Sequence, residues 1–267
     1  MNILQQIVGH KQIEVDRRKE LIPIKKLEAS IFYDSDVVSM QSYLRRPNSS
    51  GIIAEIKRGS PSAGQFRSEI DVEQLSIGYM QAGAIGLSIL TDEKYFSGRN
   101  EDLMIARKYN YCPILRKDFI IDPYQVYETK SIGADCMLLI AACLTPERCK
   151  DLAVLAQNLG LEVLLEVHDV IEIDNYLSDD INIIGVNNRD LTTFSTNINR
   201  SLELLPSLPS DIPKISESGI HNSSQIDLLR EKGFEGFLIG GHFMMQSDPA
   251  KACRTLIKKS NIRQYES

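Results

Sequence analysis

Glu55 and Lys57 stand at the end of a short apolar run, with one residue between the two charges. Side chains two positions apart on a strand point to the same face, so both groups would project together from the end of a strand. A carboxylate and an ammonium group held together can exchange protons with a bound molecule. The alternative is an ion pair on an exposed edge strand, which contributes little stability.

Other short apolar runs in the chain also close on a polar residue. Lys117, Glu166, Asn187 and Glu217 each stand at or near the C-terminal end of such a run. The eight candidate strands are 51–57, 87–92, 112–119, 136–141, 164–169, 183–190, 213–219 and 236–241. Short and almost continuously apolar runs are typical of strands buried on both faces of a parallel sheet.

Segments with helical periodicity lie between these strands. Apolar residues recur at spacings of three and four over 72–82, 123–132, 146–159 and 224–232. Eight strand and helix units in 267 residues predict an α/β protein, a (β/α)8 TIM barrel of the usual roughly 250 residues, with its active site at the C-terminal ends of the strands. The alternative, a doubly wound open sheet, usually carries a glycine fingerprint after its first strand, and the turn after Lys57 lacks it.

The N-terminal segment predicts a helical extension to the barrel. Apolar residues recur on one helical face at Ile3, Leu4, Ile7 and Val8, and a charged continuation follows at Lys11, Glu14, Asp16, Arg17, Arg18, Lys19 and Glu20. No linker rich in Gly, Ser or Pro divides the chain. The predicted organisation is a single domain over 1–267, with the extension at 1–48 and the barrel at 49–259. We expect no second enzyme fused behind the eighth helix.

The composition limits the partners of the chain. A net charge of −6 and a pI of about 5.4 predict no broad basic surface, so we expect no nucleic-acid partner. No apolar stretch approaches the ~20 residues that span a bilayer, and the N-terminus lacks the apolar core of a signal peptide. We therefore expect a cytoplasmic protein without a membrane partner, and we favour a monomer.

Cysteine and histidine spacing gives no sign of a metal centre. The five cysteines form no Cys-x-x-Cys pair and are odd in number, so we expect reduced thiols in the core. The four histidines lack the i, i+4 spacing of helical zinc sites. The sequence therefore predicts neither a metal ion nor a disulfide.

Small residues end the last two predicted strands, at Ser218, Gly219, Gly240 and Gly241. The loops after the seventh and eighth strands are the usual phosphate site of this class of barrel. Glycine lets the backbone approach a phosphate closely, and a short helix starting near Gly241 would point further N–H groups at the anion. The alternative for any one of these glycines is an ordinary turn. Together they predict a site for the anionic end of a small-molecule ligand.

Motifs on successive strands resemble those of the indole-3-glycerol phosphate synthase family. They are EIK at 55–57 with SPS at 60–62, SILTDEKYFSG at 88–98, LRKDF at 115–119, LEVHD at 165–169, VNNRDL at 186–191 and SESGI at 216–220. The resemblance runs over nearly the whole chain. It implies a carboxy-lyase of tryptophan biosynthesis that converts 1-(2-carboxyphenylamino)-1-deoxyribulose 5-phosphate to indole-3-glycerol phosphate, with loss of CO₂ and water. It implies no metal or redox cofactor.

The resemblance also implies catalytic roles for the charged residues. Lys117 would be the acid that protonates or polarises the substrate ketone while the aromatic carbon attacks it. Lys57 would engage the substrate carboxylate and donate a proton at dehydration. Glu55 and Glu217 would hold these cations and the substrate in register.

The remaining residues would complete dehydration and bind the substrate. Glu166 would carry the proton transfers that restore aromaticity, Asn187 would hydrogen-bond the reacting oxygens, and Arg189 would pair with a carboxylate or be purely structural. The ring pocket of the family corresponds to Pro61, Phe96, Phe119 and Leu138. A core role fits Leu138 equally well. The phosphate would bind at Ser60, Ser218, Gly219, Gly240 and Gly241.

The chain departs from the family pattern at two positions, and two other functions compete. Ala63 stands where a lysine is frequent, and Gly241 stands where Ser, Glu or Ala is more frequent, which would affect phosphate affinity. An isomerase acting on the preceding intermediate of the pathway would need a cysteine and an aspartate as acid and base. A non-catalytic sugar-phosphate-binding barrel would be expected to have lost some of the charged residues, and none is missing.

Overall fold

Eight parallel strands form a closed barrel, which confirms the predicted (β/α)8 architecture. The computed structural model describes residues 3–60, 64–67, 69–190 and 195–260. We number the barrel strands β1 (Ile52–Ile56), β2 (Gly86–Leu90), β3 (Ile114–Lys117), β4 (Cys136–Ile140), β5 (Glu162–Val167), β6 (Ile183–Asn187), β7 (Lys214–Glu217) and β8 (Gly236–Ile239). Each strand pairs with its neighbours in chain order, and β8 pairs with β1.

Helices follow every barrel strand. The helices are α1 (Ile3–Leu21), α2 (Ile24–Glu28), α3 (Met40–Leu44), α4 (Val72–Ala82), α5 (Glu93–Phe96), α6 (Asn100–Tyr109), α7 (Pro123–Ser131), α8 (Pro146–Asn158), α9 (Val170–Tyr176), α10 (Asn199–Leu204), α11 (Ser223–Lys232), α12 (Gly241–Met244) and α13 (Pro249–Lys259). The four predicted helices agree with α4, α7, α8 and α11 to within one residue at each end. None of the helices in the described residues is long and apolar enough to cross a membrane.

Alternation along the strands determines which side chains enter the barrel. In β1, Ile52 and Ala54 pack outward against the helices, whereas Ile53 packs in the apolar cluster inside the barrel. The same parity holds in β3, where Ile114 faces outward and Leu115 faces inward. The C-terminal ends of the strands form the rim of the barrel. At the rim, the inward-facing positions carry polar side chains instead of apolar ones.

The N-terminal extension contacts both ends of the barrel. Met40 and Leu44 of α3 belong to the interior cluster and lie against Gly86 and Gly236, at the first residues of β2 and β8. At the opposite end, Ile7 of α1 packs in the same cluster. The extension therefore closes the bottom of the barrel and partly covers its rim.

A buried ion network joins α1 to the barrel, and Lys11 is at its centre. The Lys11 ammonium is 1% exposed and lies 2.9 Å from Asp118, 3.0 Å from Asp92 and 3.0 Å from Glu14. Burial alone would lower the pKa of Lys11, but these three carboxylates raise it above its usual value. The charged continuation of α1 seen in the sequence is thus partly internal, because its first lysine neutralises acids at the ends of β2 and β3.

Replacement of Lys11 by methionine should strongly destabilise the protein. The change keeps the length of the side chain but, among the described residues, leaves Asp92 buried without a cation and Asp118 with Arg116 alone. Breaking a buried ion pair costs about 3–5 kcal/mol in comparable sites. We expect the urea midpoint to fall accordingly. The matched control is Lys26→Met on α2, whose lysine is exposed and whose loss should change the free energy of unfolding by no more than about 0.5 kcal/mol. Equal midpoints for both variants would contradict the assigned role of Lys11.

Candidate active site

A cavity of about 220 Å³ opens at the rim of the barrel. The residues singled out from the sequence that line it are Glu55, Lys57, Ser60, Phe96, Lys117, Phe119, Leu138, Glu166, Asn187, Arg189, Glu217, Ser218, Gly219, Gly240 and Gly241. Pro61 and Ala63 lie outside the described residues. The fold thus brings the described candidates from separate strands to one concave surface, the usual form of a small-molecule site.

The pair formed by Glu55 of β1 and Lys57, the residue after the strand, belongs to this cavity and not to the outer surface. The Lys57 ammonium lies 2.5 Å from Glu55 Oε1, and the two side chains are 18% and 3% exposed. Both follow Ile53 on the inward face of β1. The ion pair therefore faces any molecule bound in the barrel.

Lys117 at the end of β3 contacts two glutamates, Glu166 of β5 and Glu217 of β7. Its Nζ donates hydrogen bonds of 2.7 Å to Glu166 Oε2 and 2.7 Å to Glu217 Oε2. Both carboxylates are almost fully buried. The cavity therefore contains a cation in hydrogen-bond contact with two acids.

The three groups divide their protons unequally. Burial raises the pKa of Glu217 to about 7, because the Lys117 ammonium does not fully compensate for it. The pKa of Glu166 goes the other way: burial alone would raise it, but Lys117 and His168 outweigh burial and lower it to about 2. Burial alone would lower the pKa of Lys117, but the surrounding glutamates raise it above its usual value. Near neutral pH, Lys117 and Glu166 are therefore charged, while Glu217 is partly protonated.

Asn187 fixes the orientation of Glu166. Its Nδ2 donates to Glu166 Oε1 over 3.0 Å, and its Oδ1 accepts the backbone N–H of Arg189 over 2.9 Å. The second bond determines which end of the amide faces the carboxylate. Asn187 thus contacts Glu166, a partner that the sequence reasoning did not assign to it.

Two glycines provide the space that the carboxylates occupy. A Cβ atom at Gly185 of β6 would overlap Glu217 Oε1, and a Cβ atom at Gly240 would overlap Glu55 Oε1. From the sequence, Gly240 was predicted only as a phosphate ligand, and Gly185 was not predicted as a site residue. The sequence signal that could have identified these two glycines was indirect: both occupy inward positions at a rim where other strands carry long polar side chains.

One wall of the cavity is apolar. The rings of Phe96 and Phe119 lie 6.0 Å apart at an interplanar angle of 41°, a favourable tilted arrangement. Leu138 of β4 is 1% exposed, and it both lines the cavity and packs in the interior cluster. Ile3, Leu4 and Ile7 of α1 add to this wall, a contribution that the sequence reasoning missed.

The opposite end of the cavity is formed by backbone at the last two strands. Ser218 and Gly219 both have left-handed φ angles, of 67° and 77°. Such a conformation costs energy for a serine, and strain of this kind concentrates at functional sites. Gly241 adjoins this turn in the cavity wall and has open space where a Cβ would lie. Two histidines not predicted as site residues, His221 and His242, also line this end, with ring centroids 5.8 Å apart.

The fold and the cavity define a class of protein: a (β/α)8-barrel enzyme with acid and base groups at the C-terminal ends of its strands. The family model for indole-3-glycerol phosphate synthase matches residues 4–256. Proteins of that name are 45% identical over 96% of this chain and 98% of their own length in Bacteroides thetaiotaomicron, and 38% identical over 95% and 98% in Campylobacter fetus. The chain therefore belongs to the indole-3-glycerol phosphate synthase family.

Solved structures of other enzymes share only the fold. A 3-hexulose-6-phosphate synthase from Salmonella typhimurium aligns with a TM-score of 0.63 at 12% identity, over 78% of this chain and 97% of its own. Tryptophan synthase subunit alpha from Legionella pneumophila aligns with a TM-score of 0.57 at 14% identity, over 97% of both chains. These similarities support the barrel and say nothing about the residues at its rim.

The raised pKa of Glu217 should make part of the stability fall as pH increases. Between pH 4.5, the ordinary value, and pH 7 the folded protein keeps a proton that the unfolded chain has lost. This contribution is complete below pH 4.5 and disappears by pH 7. In Glu217→Gln it is absent, so the stability of the parent relative to the variant should decrease over this interval by up to about 3 kcal/mol.

Denaturant unfolding at several pH values between 4.5 and 7 measures this difference. Glu231→Gln on α11 is the control, since Glu231 is exposed and the parent–variant difference should stay constant with pH. A parent–Glu217→Gln difference that grows with pH would contradict a raised pKa at Glu217.

Proposed function

We propose that the rim cavity carries out the reaction of this family, with Lys117 as its acid. Family membership makes the chain an indole-3-glycerol phosphate synthase, a decarboxylating lyase acting on a phosphorylated small molecule. The substrate implied by the reaction is 1-(2-carboxyphenylamino)-1-deoxyribulose 5-phosphate. The observation that carries the assignment of the acid is the buried Lys117 ammonium, held by Glu166 and Glu217 at the floor of the cavity.

The first step forms the new carbon–carbon bond. The ring carbon that bears the carboxylate attacks the ketone, and the ketone oxygen takes a proton from Lys117. A protonated lysine can be this donor because the neighbouring carboxylates keep it charged. Glu217 supports this role by holding the ammonium on the side opposite to Glu166.

The second step breaks the bond to the carboxylate. CO₂ leaves, and the electron pair of the broken bond restores the aromatic ring. Before that, the carboxylate needs a cation, and Lys57 is the candidate because it reaches into the cavity from β1. Glu55 holds Lys57 in place over 2.5 Å and keeps it from pairing permanently with the substrate.

The third step removes water. The hydroxyl formed from the ketone leaves as water with a second proton from Lys117, which has been reprotonated after the first step. One proton is removed from the adjacent carbon to close the aromatic five-membered ring. Glu166 is the base for this removal, since its depressed pKa keeps it ionised. Asn187 holds Glu166 and offers its amide to the reacting oxygens. Arg189 lines the cavity beside them and is proposed to order this part of the rim.

The two ends of the cavity match the two ends of the substrate. The apolar wall of Phe96, Phe119 and Leu138 would press the aromatic ring against the ketone, and alignment of this kind lowers a reaction barrier by several kcal/mol. The phosphate would bind at the opposite end, to Ser60, Ser218, Gly219, Gly240 and Gly241. The single domain, the monomeric state and the cytoplasmic location stay predictions.

Turnover of the substrate tests both the activity and the acid. We expect the parent to produce indole fluorescence, and we expect Lys117→Met to lower kcat by about 10²–10⁴-fold, the usual effect of losing a general acid. Lys150→Met on α8 is the control, because Lys150 is exposed and does not line the cavity. An inactive, folded parent would contradict the function, and an active Lys117→Met would contradict the acid.

An added charge at Gly241 tests the phosphate end. Gly241→Asp meets no atom within 4 Å of its Cβ, so the fold should tolerate it, but its carboxylate would repel the phosphate. We expect KM to rise about tenfold or more while kcat changes only a few-fold. The isosteric control Gly241→Asn should keep KM close to the parent. A kcat effect without a KM effect would place the phosphate elsewhere.

A further inference from the structure

The proposed reaction consumes one proton from solvent in every turnover, and the inference below rests on that function. Two protons reach the ketone oxygen before it leaves as water. Only one is recovered, from the carbon that joins the new ring next to nitrogen. The carboxylate leaves as neutral CO₂ and supplies none. The site must therefore be recharged with one proton per cycle.

The groups that need this proton are almost fully enclosed. The side chains of Lys117 and Glu166 are 13% and 3% exposed before any substrate enters. A bound substrate would cover them further, because both line the same cavity. A route to solvent that does not cross the substrate would let protons arrive while the cavity is occupied.

His168 lies on such a route, next to Glu166. It follows Glu166 by two residues at the end of β5, and its Nε2 is 3.6 Å from Glu166 Oε1. This is the oxygen turned away from Lys117, which binds Oε2. Among the described residues that line the cavity, His168 is absent. The imidazole therefore approaches Glu166 from behind the substrate site.

Glu172 continues the route toward the surface. His168 Nδ1 is 3.4 Å from Glu172 Oε2, and Glu172 belongs to the first turn of α9. The backbone N–H of His168 donates to the same oxygen over 2.6 Å, and Asp169 caps the helix by accepting the N–H of Glu172 over 2.8 Å. The carboxylate is thus fixed beside the imidazole, while its side chain remains 16% exposed.

We propose that His168 and Glu172 form a proton relay that recharges Glu166 and Lys117 from solvent. The imidazolium gives its Nε2 proton to Glu166 Oε1. Protonation weakens the bond that Oε1 accepts from Asn187 Nδ2, so the carboxyl group can turn and pass this proton to the neutral Lys117 amine left after the ketone is protonated. Lys117 then protonates the leaving hydroxyl, and Glu166 returns to Lys117 the proton taken from carbon, so one proton from solvent is consumed per turnover. The ring of the neutral imidazole then turns so that the deprotonated Nε2 faces Glu172 and takes a new proton from it, and Glu172 is reprotonated by water. Each transfer breaks one N–H or O–H bond and forms another, so charge and protons balance.

The electrostatic surroundings suit an imidazole that carries a proton near neutral pH. Burial alone would lower the pKa of His168, but Glu172 and Glu166 raise it above its usual value, and Arg200 opposes them weakly. The nearby Cys143 thiol stays neutral because burial raises its pKa. Neither ring nitrogen has a hydrogen-bond partner of good geometry among the described residues, so the ring can turn between the two carboxylates.

The test compares relay variants in the steady state across pH. We expect His168→Gln to lower kcat about tenfold or more with KM within about twofold, because Gln fills the site but cannot carry a proton. The parent kcat should fall as pH rises through the pKa of His168, and this limb should be missing in the variant. Glu172→Gln should also lower kcat. Asp174→Asn removes an exposed acid from the same helix and should match the parent.

Rescue separates a relay from a structural role. In His168→Ala, added imidazole should restore kcat in proportion to its concentration, whereas the parent should show no such dependence. The relay alone would be overturned if the parent is active, His168→Gln keeps the pH profile of the parent, and imidazole does not rescue folded His168→Ala. A folded parent without turnover would overturn the proposed function, and with it the relay.

Discussion

The charge of Lys117, kept inside the barrel, is the constraint on which the rest of the site depends. An ammonium group at this depth is tolerated only because carboxylates touch it on two sides, each at 2.7 Å. The two carboxylates in turn share the Lys117 cation. Glu166 also needs the Asn187 amide to orient it, and Glu217 needs the space that Gly185 leaves on the neighbouring strand. The result is an acid, Lys117, that remains charged at neutral pH and a base, Glu166, that remains ionised beside it, although burial alone would favour the neutral form of each.

A second group of buried charges adjoins the cavity and also includes a residue of β3. In β3, Lys117 points into the cavity, while Arg116 points outward to Glu128 and Asp118. Asp118 is shared with Lys11 of α1, so the helix that covers the rim is tied to the residue next to the proposed acid. Breaking a buried network of this kind is expensive, because each remaining charge loses part of its compensation while staying out of water. The extension is therefore part of the architecture that holds the acid, as well as a wall of the cavity.

The sequence alone predicted the barrel and most of the cavity lining, for a physical reason. Strands buried on both faces are read as short apolar runs, and polar residues at their ends stand out against that background, as Lys117 and Glu166 did. What the sequence did not predict depends on distances between elements. Lys11 was one member of a charged continuation of the helix, and periodicity does not reveal which member of a charged helix meets buried acids. His168 was visible in a motif, but its position between Glu166 and Glu172 exists only in the folded chain.

Gly185 and Gly240 have a consequence for how variation at this site is judged. Each is defined by the absence of a side chain, and the space left is filled by a carboxylate from the next strand. An alanine at either position would add one methyl group and no new chemistry, yet it would press on Glu217 or Glu55 and shift the ammonium that each one holds. Natural variants or library members with such a change would keep every acid and base of the site and still lose its alignment. Glycine at these two positions is thus as specific a feature of this site as the charged residues themselves.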